Sequence, residues 1–388
     1  MKKRVCLFFL SVGLVLFLCV GFVAGTGAGR GPAYRYLRVF SEVLNLIRGN
    51  YVDEVDDPEL LRGAYVGVLS GLDSASGYLG SEEFARLQKE LQGPADPGMD
   101  VVKDSSAFVV VGVWPGTPAA KAGLSIGDRI WSIDGASTRE MSLLQAMRRL
   151  SGAPGSEVSL QVYSGRERKR QDFRLRRVAS NVSPFEARLE GPGVGYLRLR
   201  NLAACDRGAV GAALGELERK GARRLLLDLR GATRGGVEDA ARIAGLWIGD
   251  GVVVRTQERG GASVEIKGRG PALCRLPTWV LVNGGTSGAP EILTAALHDA
   301  LHARLLGDRT AGLGARQELI RLPGGDGLVL SVARYLAPGG SSWHGEGIHE
   351  DVAVPLDGSA LNAADSEGAQ LKRALEIVST EEPAAKAA

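Results

Sequence analysis

The stretch TWVLVNGGTSGAPEILTAALHDALHARLLG, Thr278–Gly307, decides the fold class. Thr278 to Val282 is a short apolar run of strand length, Pro290 to His302 has helical length, and Arg304 to Gly307 reads as a strand again. The same alternation repeats upstream: strand from Gly195 to Leu199, helix from Gly208 to Lys220, strand from Arg224 to Leu229, helix from Val237 to Ile248. Strands alternating with helices argue an α/β core with a largely parallel sheet.

Before this core the pattern changes twice. Tyr34 to Arg48 carries Leu37, Phe40, Val43, Leu44 and Ile47 at helical spacing, and Gly49-Asn50 stops it. Further helices are expected from about Pro58 to Leu72 and from Ser81 to Leu91, the second with a serine placed to cap it. Gly93-Pro94-Ala95-Asp96-Pro97-Gly98 then marks a domain junction. From Phe108 the chain reads as short strands (Phe108 to Val113, Arg129 to Ile133, Val158 to Tyr163, Phe173 to Leu175), with one helix around Leu143 to Leu150.

The chain has 388 residues, 45% hydrophobic and 23% charged, which describes a globular protein of more than one domain. Its 54 glycines follow no collagen period, so they mark turns and tight loops. A net charge of +3 is too small to argue for a nucleic-acid partner. Arg166, Arg168, Lys169, Arg170, Arg174, Arg176 and Arg177 alternate with Phe173 and Leu175; this pattern is the solvated face of a strand or, alternatively, a site for an acidic partner.

Lys2, Lys3 and Arg4 precede a charge-free, mostly apolar run from Val5 to Val23. This is an export signal, and it reaches the ~17–25 residues that span a bilayer. Thr26-Gly27-Ala28 offers a small-x-small cleavage site, whereas Phe22 spoils the one ending at Ala24 and Leu18 is too large for lipoprotein processing at Cys19. An uncleaved inner-membrane anchor is favoured; either way the body is expected on the extracytoplasmic, periplasmic side. Cys205 and Cys274 are the cysteines outside this segment, and both a disulfide and two buried thiols remain open.

The block Gly116-Thr117-Pro118-Ala119-Ala120-Lys121-Ala122-Gly123-Leu124, with Gly127-Asp128-Arg129-Ile130 and Ile133-Asp134-Gly135, resembles a PDZ domain. Such domains bind a free C-terminus as an added strand, its carboxylate on the amides of a glycine-rich loop. The matching loop is Gly98-Met99-Asp100-Val101, just before the first strand, and Leu143 and Met147 are candidates to line the groove. Asp100 stands where related loops often carry a small residue. A carboxylate there repels a bound carboxylate unless it points into solvent.

Other segments resemble the carboxyl-terminal (tail-specific) processing peptidases, which use a Ser–Lys dyad. They include Asn50-Tyr51-Val52-Asp53, Leu72-Asp73-Ser74-Ala75-Ser76-Gly77-Tyr78-Leu79, Leu227-Asp228-Leu229-Arg230, Gly307-Asp308-Arg309-Thr310 and Gly345-Glu346-Gly347-Ile348. The resemblance implies a ClpP/crotonase-like α/β core with an inserted PDZ domain. The expected divisions are a signal or anchor (1–29), a helical N-terminal segment (30–94), the PDZ domain (95–178), the peptidase-like core (179–360) and a C-terminal helix with a frayed tail (361–388).

The chemistry departs from that pattern. Where the family has Gly-Ser-Ala-Ser-Ala-Ser-Glu-Ile, this chain reads Gly285-Thr286-Ser287-Gly288-Ala289-Pro290-Glu291-Ile292, with Asn283 and Glu291 at the family's spacing. The nucleophile position is Gly288. The family's lysine falls on Leu313, four residues before the retained Gln317. Glycine has nothing to attack with, and leucine accepts no proton. Ser287 is the fallback nucleophile. His298 and His302 share a helix face at i,i+4, but no third ligand accompanies them; Lys121 and Lys267 have no catalytic motif around them. The family's Asp-Leu-Arg-x-x-Pro-Gly-Gly, whose glycine pair serves the oxyanion hole, is here Asp228-Leu229-Arg230-Gly231-Ala232-Thr233-Arg234-Gly235-Gly236, one residue longer and without proline. The expectation is a non-catalytic homologue that binds polypeptide or works with an active relative. An active peptidase with displaced residues and a simple PDZ binding module are the alternatives. No cofactor or metal is expected.

Overall fold

The computed structural model describes residues 32–89, 95–104, 107–165, 167–179, 182–191, 193–355 and 363–381. The apolar run Val5 to Val23, Gly93-Pro94 of the junction, Arg166 and the tail after Glu381 lie outside them. The chain forms two compact units, divided after Ala64.

In the first unit the helix Pro32–Asn50 leads into the helix that begins at Asp57. Arg48 Nε meets Asp57 Oδ1 at 2.6 Å. Phe40, Val43, Leu44 and Ile47 line a shallow apolar depression with Leu60 and Ala64, which accounts for the helical spacing read in the sequence. No helix among the described residues is long and apolar enough to cross a membrane.

The second unit is built on a six-stranded sheet in the order Phe185–Leu189, Val194–Leu199, Arg224–Asp228, Thr278–Val282, Arg304–Gly307, Val352–Ala353. The first pair is antiparallel and the rest are parallel. Alternate side chains serve opposite faces, as the period of two requires. Leu225, Leu227, Val280, Val282 and Leu305 pack under the helices Arg207–Arg219, Val237–Ile248 and Ala289–Leu301. Leu226, Trp279, Leu281 and Leu306 pack under Ala374 and Val378 of the C-terminal helix Ala363–Thr380. Burial on both faces is why these strands read as unbroken apolar runs. Glu381, just past that helix, lies 2.8 Å from Arg304 Nη1; the tail expected to fray lies beyond the described residues.

A buried ionic cluster joins the sheet to the C-terminal helix. Asp228 is fully buried and meets Arg230 Nη2 at 2.7 Å and the Tyr196 hydroxyl at 2.8 Å. Arg230 Nη1 reaches Gln370 Oε1 at 2.9 Å. Burial works against the Asp228 charge, yet Arg230 and then Arg198 hold its carboxyl well below the usual carboxylate range.

A second, antiparallel sheet was not foreseen. It contains Gly77–Leu79, Gly327–Leu336, Val252–Glu258, Ser263–Lys267 and Ala315–Arg321. Gly77 pairs with Val329 across most of the chain, a partnership that no local pattern announces.

The PDZ domain is a sheet in the order Met99–Lys103, Phe108–Val113, Arg129–Ile133, Glu157–Ser164, Lys169–Arg176, with Met99–Lys103 at its edge. Thr117 caps the short helix Pro118–Lys121, and Gly123 follows with φ +86°. The domain enters and leaves through one pair of short strands, Ala95–Asp96 against Val178–Ala179. Two expectations need correction. Met99 to Val101 is an edge strand rather than a loop, because Gly98 takes up the turn at φ +86° and its neighbours then pair with Phe108–Val113. Arg177 is not on the solvated face: it is buried, donating to the carbonyls of Leu150, Arg149 and Glu157. The other arginines and lysine of that stretch within Lys169–Arg176 are exposed.

Two predictions follow from this packing. Asp228→Ala leaves Arg230 buried without its partner and should cost about 3–5 kcal/mol in guanidinium unfolding. Because the Asp228 pKa is depressed, the stability it adds is complete above about pH 4 and is lost as the pH falls below that. Cys205 and Cys274 are buried free thiols, each pushed up to about 11 by burial. Iodoacetamide at pH 8 should therefore label neither until the protein is unfolded, as mass spectrometry would read.

Candidate functional site

The strand Thr278–Val282 ends at Asn283, whose side chain stitches two loops together. Its Oδ1 accepts from Gly285 N at 3.0 Å and from Gly231 N at 3.1 Å. Thr286 Oγ1 donates to Leu229 O at 2.9 Å. These bonds fix a sharp strand-to-helix turn in which Gly288 caps the helix Ala289–Leu301 at φ +69°, ψ −120°. A side chain in that backbone conformation is strained, so glycine relaxes it.

Gly288 and Leu313 are brought face to face. A Cβ built on Gly288 would lie 3.7 Å from Leu313 Cδ2 and would meet no other atom that closely. Glu291 sets the approach. It is fully buried, and its Oε2 accepts from Gly288 N at 2.9 Å and Leu313 N at 2.8 Å. Its Oε1 accepts from Gly312 N at 2.7 Å and Thr310 Oγ1 at 2.6 Å. Burial pushes the Glu291 carboxyl up, against the four donors that favour its charge.

Gly235 and Gly236 lie alongside. A Cβ on Gly235 would come within 3.3 Å of Ala289 Cβ, so this loop runs directly against the residue after Gly288. The Gly236 amide is already engaged, donating to Asp239 Oδ2 at 2.9 Å. Gln317 lies on the same wall with Nε2 on the Ala315 carbonyl at 2.9 Å. Ser287 does not face this wall; it is 3% exposed, its amide donating to Ala232 O at 3.0 Å, and it lines no part of the cavity.

One cavity of about 730 Å³ runs from the PDZ edge strand to this turn. Met99, Asp100, Val101, Met147 and Leu150 line its PDZ end, and Gly288, Ala289, Leu313 and Gln317 its core end. Leu143 faces elsewhere, packed against the PDZ core. Gly98 sets the backbone rather than the wall, since a Cβ there would lie 2.2 Å from Thr117 Cβ. Asp100 neither points into solvent nor waits for a ligand. It is 4% exposed, and it accepts from Trp114 Nε1, from Thr233 Oγ1 at 3.2 Å and from Arg234 Nε at 2.7 Å. Arg234 also donates from Nη1 to Asp96 Oδ2 at 2.7 Å and stacks 4.3 Å over the Trp114 ring. The sequence singled out Asp100 and the longer loop separately and missed Arg234, the residue that joins them.

His298 lies between Asp299 and Asp351 at 3.6 and 3.5 Å, with His302 at the helix end. No group of three metal-ligating side chains occurs among the described residues.

This is a PDZ-bearing peptidase fold. Residues 193–354 match the peptidase family S41 model, and residues 86–163 match the PDZ domain model. The chain belongs to the carboxyl-terminal processing peptidases. It is 33% identical to a carboxyl-terminal-processing protease from Picosynechococcus sp. over 76% of this chain and 71% of that one. A carboxy-terminal-processing protease from Bartonella bacilliformis is 30% identical, covering 91% and 83%. A relative from Synechocystis sp. is 34% identical, but there the match covers 66% of its length, just under two thirds. Among solved structures, a photosystem II D1 C-terminal processing protease superposes with a TM-score of 0.64 at 26% identity, over 88% of this chain and 91% of that one.

The turn makes a ranked prediction. Gly288→Ala has room for its methyl group but not the backbone freedom, so it should cost about 1–2 kcal/mol. Glu291→Ala strands three buried amides and a hydroxyl and should cost more, about 3–5 kcal/mol. Urea unfolding midpoints of the two variants would check the order.

Proposed function

We propose that this protein is a non-catalytic member of its family, one that holds polypeptide in the cavity between its PDZ domain and its core. The observation that carries the reading is the pairing of Gly288 with Leu313 across the turn, 3.7 Å from a built Cβ to Cδ2. Neither residue supplies a nucleophile or a base, and the neighbouring Ser287 is buried off the cavity. The lining favours an extended chain with apolar side chains: Met99, Val101, Met147 and Leu150 at one end, Ala289, Ile292 and Leu313 at the other. In this reading the body works in the cell envelope, carried out by the segment Val5 to Val23, and binds polypeptide itself or assembles with an active relative.

The test is hydrolysis of unfolded β-casein followed by mass spectrometry. The natural protein and Ser287→Ala should both leave it intact. Gly288→Ser combined with Leu313→Lys should produce measurable cleavage, because the two positions already face each other, whereas either single change should not. Cleavage by the natural protein that Ser287→Ala abolishes would sink the reading.

A further inference from the structure

A PDZ groove takes a terminal carboxylate on the amides of its loop. Here that seat is furnished from within. Gly98 N donates to Asp96 Oδ1 at 2.7 Å. Asp96 and Asp100 then share a single guanidinium, Arg234, which reaches across from the core loop with 2.7 Å contacts to each and a 3.3 Å contact to the Met99 carbonyl. We infer that Asp100 and Arg234 together occupy the anion seat of the PDZ groove, and that the groove selects extended polypeptide segments without a free carboxylate at that point.

The inference rests on the polypeptide-binding reading and adds the class of ligand. Charge is the first argument. Two carboxylates and one guanidinium leave the seat with a net negative charge, and a third carboxylate would enter against it. Geometry is the second. Asp100 cannot swing away, because it is enclosed by Trp114, Thr233 and Arg234, and the guanidinium is itself stacked on the Trp114 ring. The third argument is continuity. The cavity does not stop at the loop but passes Thr233 and Arg234 to reach Gly288 and Leu313, so a bound chain has room to continue instead of ending.

Fluorescence anisotropy tests this with the full-length protein in nonionic detergent. The probe is a labelled peptide of about ten residues rich in Val, Leu and Ala, to suit the apolar lining, prepared as free acid and as C-terminal amide. The amide should bind at least as tightly as the acid. Asp100→Asn should shift the ratio about tenfold toward the acid, the size expected for removing one partly screened like charge. Acid binding more than fivefold tighter than amide by the natural protein would overturn the inference and leave polypeptide binding standing. An unchanged ratio in Asp100→Asn would also overturn it. Silence from both peptides would overturn the polypeptide-binding reading, and this inference with it.

Discussion

Glu291 grips two loops that are distant in sequence, and it does so almost wholly through their backbones. Three of its four donors are the amides of Gly288, Gly312 and Leu313. A desolvated carboxylate holds such donors strongly, so the turn before the helix Ala289–Leu301 and the segment carrying Leu313 keep their spacing whatever side chains they bear. The frame of the site is therefore independent of its chemistry. Glycine and leucine can stand at positions 288 and 313 without the cleft collapsing, because neither side chain was part of the support.

Much of this architecture could be read in advance for a simple reason. Strands such as Arg224–Asp228 and Thr278–Val282 are covered on both faces, so their central residues are apolar, and the helices between them keep regular lengths. The antiparallel sheet escaped because two local hairpins, Val252–Glu258 with Ser263–Lys267 and Ala315–Arg321 with Gly327–Leu336, are joined to each other and to the three-residue Gly77–Leu79 only by pairings distant in sequence. Gly77–Leu79 finds Gly327–Val329 only after the chain has folded back on itself. Single side chains were read less well than elements. Arg177 sits in a run of exposed basic residues and looks like one of them, yet it is drawn inward by carbonyls on the segment following Arg149. Leu143 and Met147 are one helical turn apart, but only Met147 turns to the cavity.

Asp100 and the longer loop of Gly231 to Gly236 show how two irregularities can be one interaction. Read separately, a carboxylate in a carboxylate-binding loop and an added residue in a glycine loop both look like loss. In the folded protein the longer loop brings Arg234 to Asp100 and Asp96. Its guanidinium is held charged despite burial, by Asp100 before Asp96. Close backbone packing completes the join: a Cβ on Gly231 would lie 2.7 Å from the Val111 carbonyl, and one on Gly285 would lie 2.7 Å from Val111 Cβ.

The paired neck strands, Ala95–Asp96 and Val178–Ala179, also have a mechanical meaning. A domain attached to its host through two adjacent strands is a flap on a single hinge, with one soft direction of rotation. Arg234 holds Asp96 in that neck and Asp100 just beyond it, and Gly231 and Gly285 pack closely on Val111 of the next strand, Phe108–Val113. These contacts oppose rotation about the neck. The cleft widens only where they break.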